Sequence, residues 1–306
     1  VNRDILWLIL RKRGIPNHLI NAIKSLYLNT KIILNLGNSL SKQIIHVIQG
    51  CSLSPALFNI YLDEILQEWK NEISQGICLG QGIYVNTILY ADDQVILAKS
   101  EDELQRNIFK LSKICKKYNL QISPEKTKVM AFQGTRPIRS KIVLGYKVIQ
   151  QLKHFSYLGC DISYDYDEDI NNKVSKFQGI CGTINRTLRN KVRKETQLKF
   201  YKVLAVPVIL YGSESWILRR KDESKITAAE MRFLRSVEGV SRSDRIPNDE
   251  IRQRLEISAI LDKINKNKEN WKNHVNRMSP NRLPKQILNY NPTGTRSVGR
   301  PRKRWY

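Results

Sequence analysis

The sequence predicts an α+β fold in which a sheet carries helices on one side, followed by an all-helical region and a basic tail. Three observations predict it. Over the first half, apolar residues at helical spacing alternate with short β-branched and aromatic runs. From Ile170 to about Met278 the helical spacing is almost unbroken, and beyond it stands the Pro-, Gly- and Arg-rich "NPTGTRSVGRPRKRWY".

Taken in order, "RDILWLILRKRG" has the apolar spacing of a helix that "GIP" stops, and a second helix is expected from about Asn17. "KIILNLGNSLSKQIIHVIQG" predicts two strands around a Gly37-Asn38 turn. In "CSLSPALFNIYLDEILQEWKNEI", Ser54 is a natural N-cap and Pro55 a first-turn residue, and Leu57, Tyr61, Ile65 and Trp69 fall on one stripe. "TILYADDQVILA", residues 87 to 98, is a hairpin with two acids at its tip and flanks expected to be buried. Ser100 with Glu103 has the capping-box spacing that starts a helix through about Tyr118, with Leu104, Ile108, Leu111 and Cys115 facing inward. "LQISPEKTKVMAF" returns the chain to a strand, "KIVLGYKVIQQLKHFSYLGCDIS" continues as short strands, and "YDYDED" is an acidic linker into the helical region.

At 306 residues the chain is long enough for a substantial core and two or three structural units. Five cysteines, widely spaced and without any C-x-x-C, argue against a disulfide framework and against a zinc site, and point to a reducing, intracellular setting, nucleus or cytoplasm. The apolar run "VLAVPVILY" is far shorter than the roughly 20 residues of a membrane span, and neither a signal peptide nor a membrane partner is expected. The net charge is +24, and it is uneven. Residues 1–170 carry 21 basic and 16 acidic side chains, whereas residues 171–306 carry 31 and 12. A polyanionic partner is the leading expectation, met by the second half.

Adjacent acids at a strand tip suit magnesium, which takes one or two carboxylates together with water and substrate phosphates. An isolated Ala-Asp-Asp is also an ordinary solvated turn. In "IQGCSLSPALF", Gln49 supplies an amide and Gly50 lets the backbone come close to a base or ribose, although a plain helix entrance has the same residues. In "SPEKTKVMAF", either Lys126 or Lys128 could meet a triphosphate as a cation or proton donor, and a solvated lysine pair is the alternative. His154, Cys160, Cys181 and His274 match no compact zinc spacing.

In order, "QGCSLSPALFNIYLDEIL", "YADD", "LQISPEKTKVM" and "FSYLGCDIS" resemble motifs B, C, D and E of the reverse transcriptases of non-LTR (LINE-type) retrotransposons. "VILYGSESW", "WKNHVNRM" and "GRPRKRW" are similar to the carboxyl-terminal region of animal elements of this class, so the resemblance covers essentially the whole chain. It implies RNA-directed DNA polymerisation: a right-hand polymerase palm, an antiparallel sheet holding two Mg2+ ions, and a helical thumb holding RNA template and DNA primer while dNTPs are added to a primer 3′ hydroxyl. On this resemblance Asp92 and Asp93 are metal ligands, Tyr90 packs near the incoming nucleotide or primer end, and Gln49 and Gly50 line the nucleotide and template side. Lys126 is the better candidate for assisting the leaving pyrophosphate. Phe155, Tyr157, Leu158 and Gly159 belong to the primer grip. "GRPRKR", residues 299 to 304, also resembles an AT-hook core, for which a phosphate-binding tail is the plainer reading.

The expected division is a partial fingers and palm region over 1–165, a helical thumb over 166–240 and a basic helical region and tail over 241–306. Motif A, whose Asp supplies the remaining metal ligand, is missing in front of "VNRDILW", and Asp4 is a poor substitute because it starts a helix. The palm is therefore expected to be incomplete at its N-terminus, with an unpaired edge at the hairpin. The chain alone is expected to be inactive, either a piece of a longer polymerase or a catalytically dead remnant that only binds nucleic acid. Neither oligomeric state nor template specificity is legible.

Overall fold

Eleven α-helices and a set of short strands make up the described residues of the computed structural model, which are 1–28, 31–35, 40–44, 51–73, 76–80, 82–133, 136–163, 168–288 and 290. The expected Gly37-Asn38 turn, Gln49, Gly50 and the tail from residue 291 lie outside them. The chain divides into two compact units: residues 1–133 with 137–152, and 134–136 with 153–306.

In the first unit, α1 (Arg3–Lys12) starts where Asn2 caps it, the side-chain oxygen accepting from the Asp4 and Ile5 backbone N–H groups at 2.9 and 3.3 Å. Asp4 thus stands in a first helical turn, as expected. Next come α2 (Asn17–Leu28), α3 (Ser54–Glu72) and α4 (Glu101–Lys117). Leu57, Tyr61, Ile65 and Trp69 are all buried on one face of α3, packed with Leu6, Leu10 and Ile20 and with Leu111 and Ile114 of α4. Each such side chain contributes roughly 1.5–3 kcal/mol. The Trp69 indole also donates to the Asn107 carbonyl at 2.8 Å, so its polar edge is satisfied inside the core. Ser100 caps α4, accepting from the Glu103 N–H at 3.2 Å, while the Glu103 carboxylate reaches back to the Lys99 N–H at 2.9 Å. Ser54 differs from expectation. The cap position falls on Leu53, and the buried Ser54 hydroxyl lies 2.9 Å from that of Tyr27, joining α3 to α2.

The α+β class holds, as helices accompanied by small sheets. The single sheet does not. Among the described residues every ladder has two strands, of two to five residues, and one of them, Lys128–Val129 with Gln150–Gln151, is parallel. Ladders this short are marginal alone and depend on helices for burial. Ile142, Leu144 and Ile149 make a small core with Ile108 of α4 and Val129.

The second unit joins the hairpin of His154–Tyr157 and Cys160–Ser163 to α5 (Glu168–Leu188), α6 (Lys194–Phe200), α7 (Val206–Leu210), α8 (Arg220–Glu238), α9 (Asn248–Arg254), α10 (Ile260–Arg277) and α11 (Leu283–Leu288). The hairpin therefore groups with the helices that follow it, ahead of the expected boundary at 165. A π-helical turn, Tyr201–Ala205, links α6 to α7. The core centres on Phe177, Tyr201 and Phe233. Tyr201 and Phe233 stack at 4.8 Å, and Phe177 meets Tyr201 edge-on at 6.0 Å. Glu230, 1 % exposed, accepts from Arg252 at 2.7 Å and from the Ile260 N–H at 3.0 Å, which fixes the start of α10 to α8. No described helix is long and apolar enough to cross a membrane.

Candidate active site

The acidic hairpin forms as the sequence predicts. Thr87–Tyr90 pairs antiparallel with Asp93–Ile96, Tyr90 opposite Asp93, so Ala91 and Asp92 are the turn. The ladder is extended by Leu97 N–H to Asn86 carbonyl, 2.8 Å, and stiffened by Gln94 donating to the Thr87 hydroxyl and that hydroxyl donating to the Val95 carbonyl, both at 3.0 Å. Ala91 has φ +52°, a conformation suited to glycine, and holding a non-glycine residue there costs of order 1 kcal/mol or more. That strain sits immediately before the two carboxylates. Asp92 and Asp93 are both exposed.

The flanks depart from the burial expected of them. Ile88 is 43 %, Leu89 39 % and Tyr90 65 % exposed, and among the described residues no strand other than Asp93–Ile96 pairs with Thr87–Tyr90. Ile96, on the other strand, packs against the α1–α4 core.

Lys126 lies in the turn that follows Ser123, its N–H 3.4 Å from the Ser123 hydroxyl, with its side chain exposed. Lys128 is engaged instead, donating to Gln150 at 2.8 Å. Gln49 and Gly50 cannot be placed relative to either, lying outside the described residues. No group of three or more His, Cys, Asp or Glu able to hold a metal ion exists among the described residues. Asp92 and Asp93 alone have the chemistry for one magnesium ion shared with substrate phosphates, whereas a two-ion clamp needs a further carboxylate. Of the residues considered for zinc, His154 faces Glu168 at 3.2 Å and Cys181 is buried in the helical core.

Phe155 and Tyr157 are half-buried on the second hairpin, with Leu158 and Gly159 as its turn. Both turn residues have positive φ, +50° and +75°, the signature of a type I′ connection. Behind this hairpin is a polar cluster that sequence reasoning missed. Asp169, placed in an acidic linker by its composition, is instead buried in the first turn of α5. It accepts from the Asp161 N–H at 3.0 Å, from Lys173 at 2.9 Å and from the Trp216 indole at 2.6 Å. Lys173, also buried, reaches Cys160 Sγ at 3.4 Å and lies 5.6 Å from the ring centres of Tyr211 and Trp216. Gly212 has φ +69°, and a Cβ there would stand 2.3 Å from Cys160 Sγ, so this position needs glycine twice over. The signal available was the i, i+4 pairing of Asp169 with Lys173 and the quoted "VILYGSESW".

The family model described as reverse transcriptase (RNA-dependent DNA polymerase) matches residues 1–162. The chain belongs to that family. Its relatives include an uncharacterized transposon-derived protein of Caenorhabditis elegans, 22 % identical over 236 residues, covering 73 % of this chain and 84 % of the relative. Another is the retrovirus-related Pol polyprotein from the type-1 retrotransposable element R2 of Nasonia vitripennis, 23 % identical over 253 residues. That match covers 78 % of this chain and 23 % of the polyprotein. Recognition of the sequence as that of a non-LTR reverse transcriptase, made on motif order, agrees with these matches.

Proposed function

We propose that the chain carries the metal-binding hairpin and the primer-holding region of an RNA-directed DNA polymerase that adds dNTPs to a DNA primer on an RNA template. The observation that carries this reading is the exposed Asp92-Asp93 tip, on a strained Ala91 turn, inside the region matched by the family. The unit containing α1–α4 acts as palm, and the helical unit with its 154–163 hairpin acts as thumb and primer grip. Asp92 and Asp93 hold magnesium, which when bound would draw in the triphosphate oxygens and screen their charge. Tyr90, 65 % exposed beside them, offers a flat face to a nucleotide or primer end. Gln49 and Gly50 keep the nucleotide-side role that the motif order implies. Lys126, unlike Lys128, has an exposed ammonium available to donate a proton to departing pyrophosphate.

A second reading is a chain that binds nucleic acid without polymerising: among the described residues no further His, Cys, Asp or Glu groups with Asp92 and Asp93. One experiment separates the two: primer extension on an RNA template with magnesium, run beside binding of the same primer–template. Extension that Asp92→Asn abolishes, with circular dichroism unchanged, supports the polymerase. Lys126→Ala should then slow it by roughly 10²-fold or more and Lys128→Ala by less. Binding without extension supports the second reading, and extension that survives Asp92→Asn removes the metal assignment.

A further inference from the structure

The helical unit contains an open cleft of about 610 Å³ into which four arginines converge from three segments. Arg189 follows the end of α5, Arg232 and Arg235 stand on α8, and Arg242 lies in the loop after α8. That loop is turned back by Gly239, whose left-handed backbone (φ +81°) closes α8 with N–H bonds from Gly239 and Val240 to the Arg235 carbonyl at 2.9 and 3.0 Å. It is then held by Asp244, which accepts from the Ser241 N–H at 2.6 Å and from its hydroxyl at 3.0 Å. The Ser241 N–H keeps the Asp244 carboxyl below its ordinary range, so this one acid among the described lining residues is charged and already occupied.

Arg235 is fixed by the Ile246 carbonyl and by Asn248 at 3.2 and 2.7 Å. Arg189, Arg232 and Arg242 are exposed and make no hydrogen bond or ion pair with any described side chain. A helix carboxyl end attracts cations over its last turn, which accounts for Arg189 and Arg235. It does not account for Arg232, a turn and more back, or for Arg242, beyond the helix. Three exposed guanidiniums with no described carboxylate partner give this concavity a positive potential suited to an anion.

We propose that this cleft, whose lining includes no residue of the 154–163 hairpin, binds a phosphodiester of a nucleic-acid strand. The guanidinium fork matches phosphate oxygens in pairs, and Met231 and Val240 give the cleft an apolar floor against which a sugar can lie. Several arginines on one backbone give position without sequence preference. The inference rests on the nucleic-acid part of the reading above and not on polymerisation.

The test uses the full chain and a labelled primer–template duplex, titrated at several salt concentrations, with Arg232→Gln/Arg242→Gln as the variant. The double substitution should weaken binding about tenfold or more and lower the slope of log affinity against log salt by about 2. In parallel, phenylglyoxal modification read by mass spectrometry should show Arg189, Arg232 and Arg242 protected by the duplex and much less by inorganic phosphate. Duplex binding with unchanged affinity and slope in the variant would overturn this site while leaving the proposed function standing. Absence of duplex binding in the unaltered chain would overturn both, and protection by inorganic phosphate alone would replace the strand with a free phosphate ligand.

Discussion

The Tyr211 hydroxyl donates to the Leu158 carbonyl at 2.9 Å, tying the residue after α7 to the turn of the 154–163 hairpin. The contact is close on both sides, since a Cβ at Gly159 would approach the Tyr211 ring to 3.0 Å. Tyr211→Phe should lower stability by about 0.5–1.5 kcal/mol, the worth of one such bond. Its distinguishing effect is local: amide exchange at Gly159 and Cys160 should rise more than elsewhere in the chain. Uniform exchange across the second unit would show that Tyr211 does not hold the turn.

Asp169 and Lys173 form a buried pair that also satisfies Trp216 and the Asp161 N–H, so removing one partner strands the other. Asp169→Ala should cost about 3–5 kcal/mol in urea unfolding. Replacing the pair together, Asp169→Leu with Lys173→Met, should cost clearly less than the sum of the single substitutions. Strict additivity would mean that the two charges do not depend on each other.

Thiol chemistry should divide the cysteines by environment. Burial pushes the Cys115 thiol up to about 11 and that of Cys181 to about 12, whereas the Leu53 backbone N–H, and after it the Tyr27 hydroxyl, hold Cys51 below its ordinary range. A lowered value enlarges the thiolate fraction near neutral pH and a raised one suppresses it. Iodoacetamide at about pH 8 should therefore reach Cys51 and the exposed Cys78 first, and Cys115 and Cys181 only after denaturant is added. Early labelling of Cys181 in the native chain would contradict the packing around Phe177.

Helical periodicity made the cores legible. The Leu57–Trp69 stripe and the inward face of α4 lie where their spacing puts them, because burial of one face dominates what a helix does in a folded chain. The tip of the acidic hairpin was equally legible, since two strands and a two-residue turn are local. Its exposure was not, because β-branched composition is the same whether or not a neighbour covers the strand. Asp169 escaped for the opposite reason. Acidic composition normally means solvent, and only the distant partners Asp161 and Trp216 make this carboxylate a buried one.

The π-helical turn at Tyr201–Ala205 amounts to one residue more than an α-helix would need between Phe200 and Val206. Its backbone bond runs from the Val206 N–H to the Tyr201 carbonyl, and it comes directly before Pro207, which has no N–H to give. The surplus residue acts as a phase setting. Each residue in an α-helix turns the chain by about 100°, so a version one residue shorter would carry Tyr211 around the axis by that angle, away from Leu158. Length in this stretch is consequently constrained even where, as at Val203, the side chain is not. The exposed Val203 can change freely, but its codon cannot be dropped without unlatching the hairpin turn.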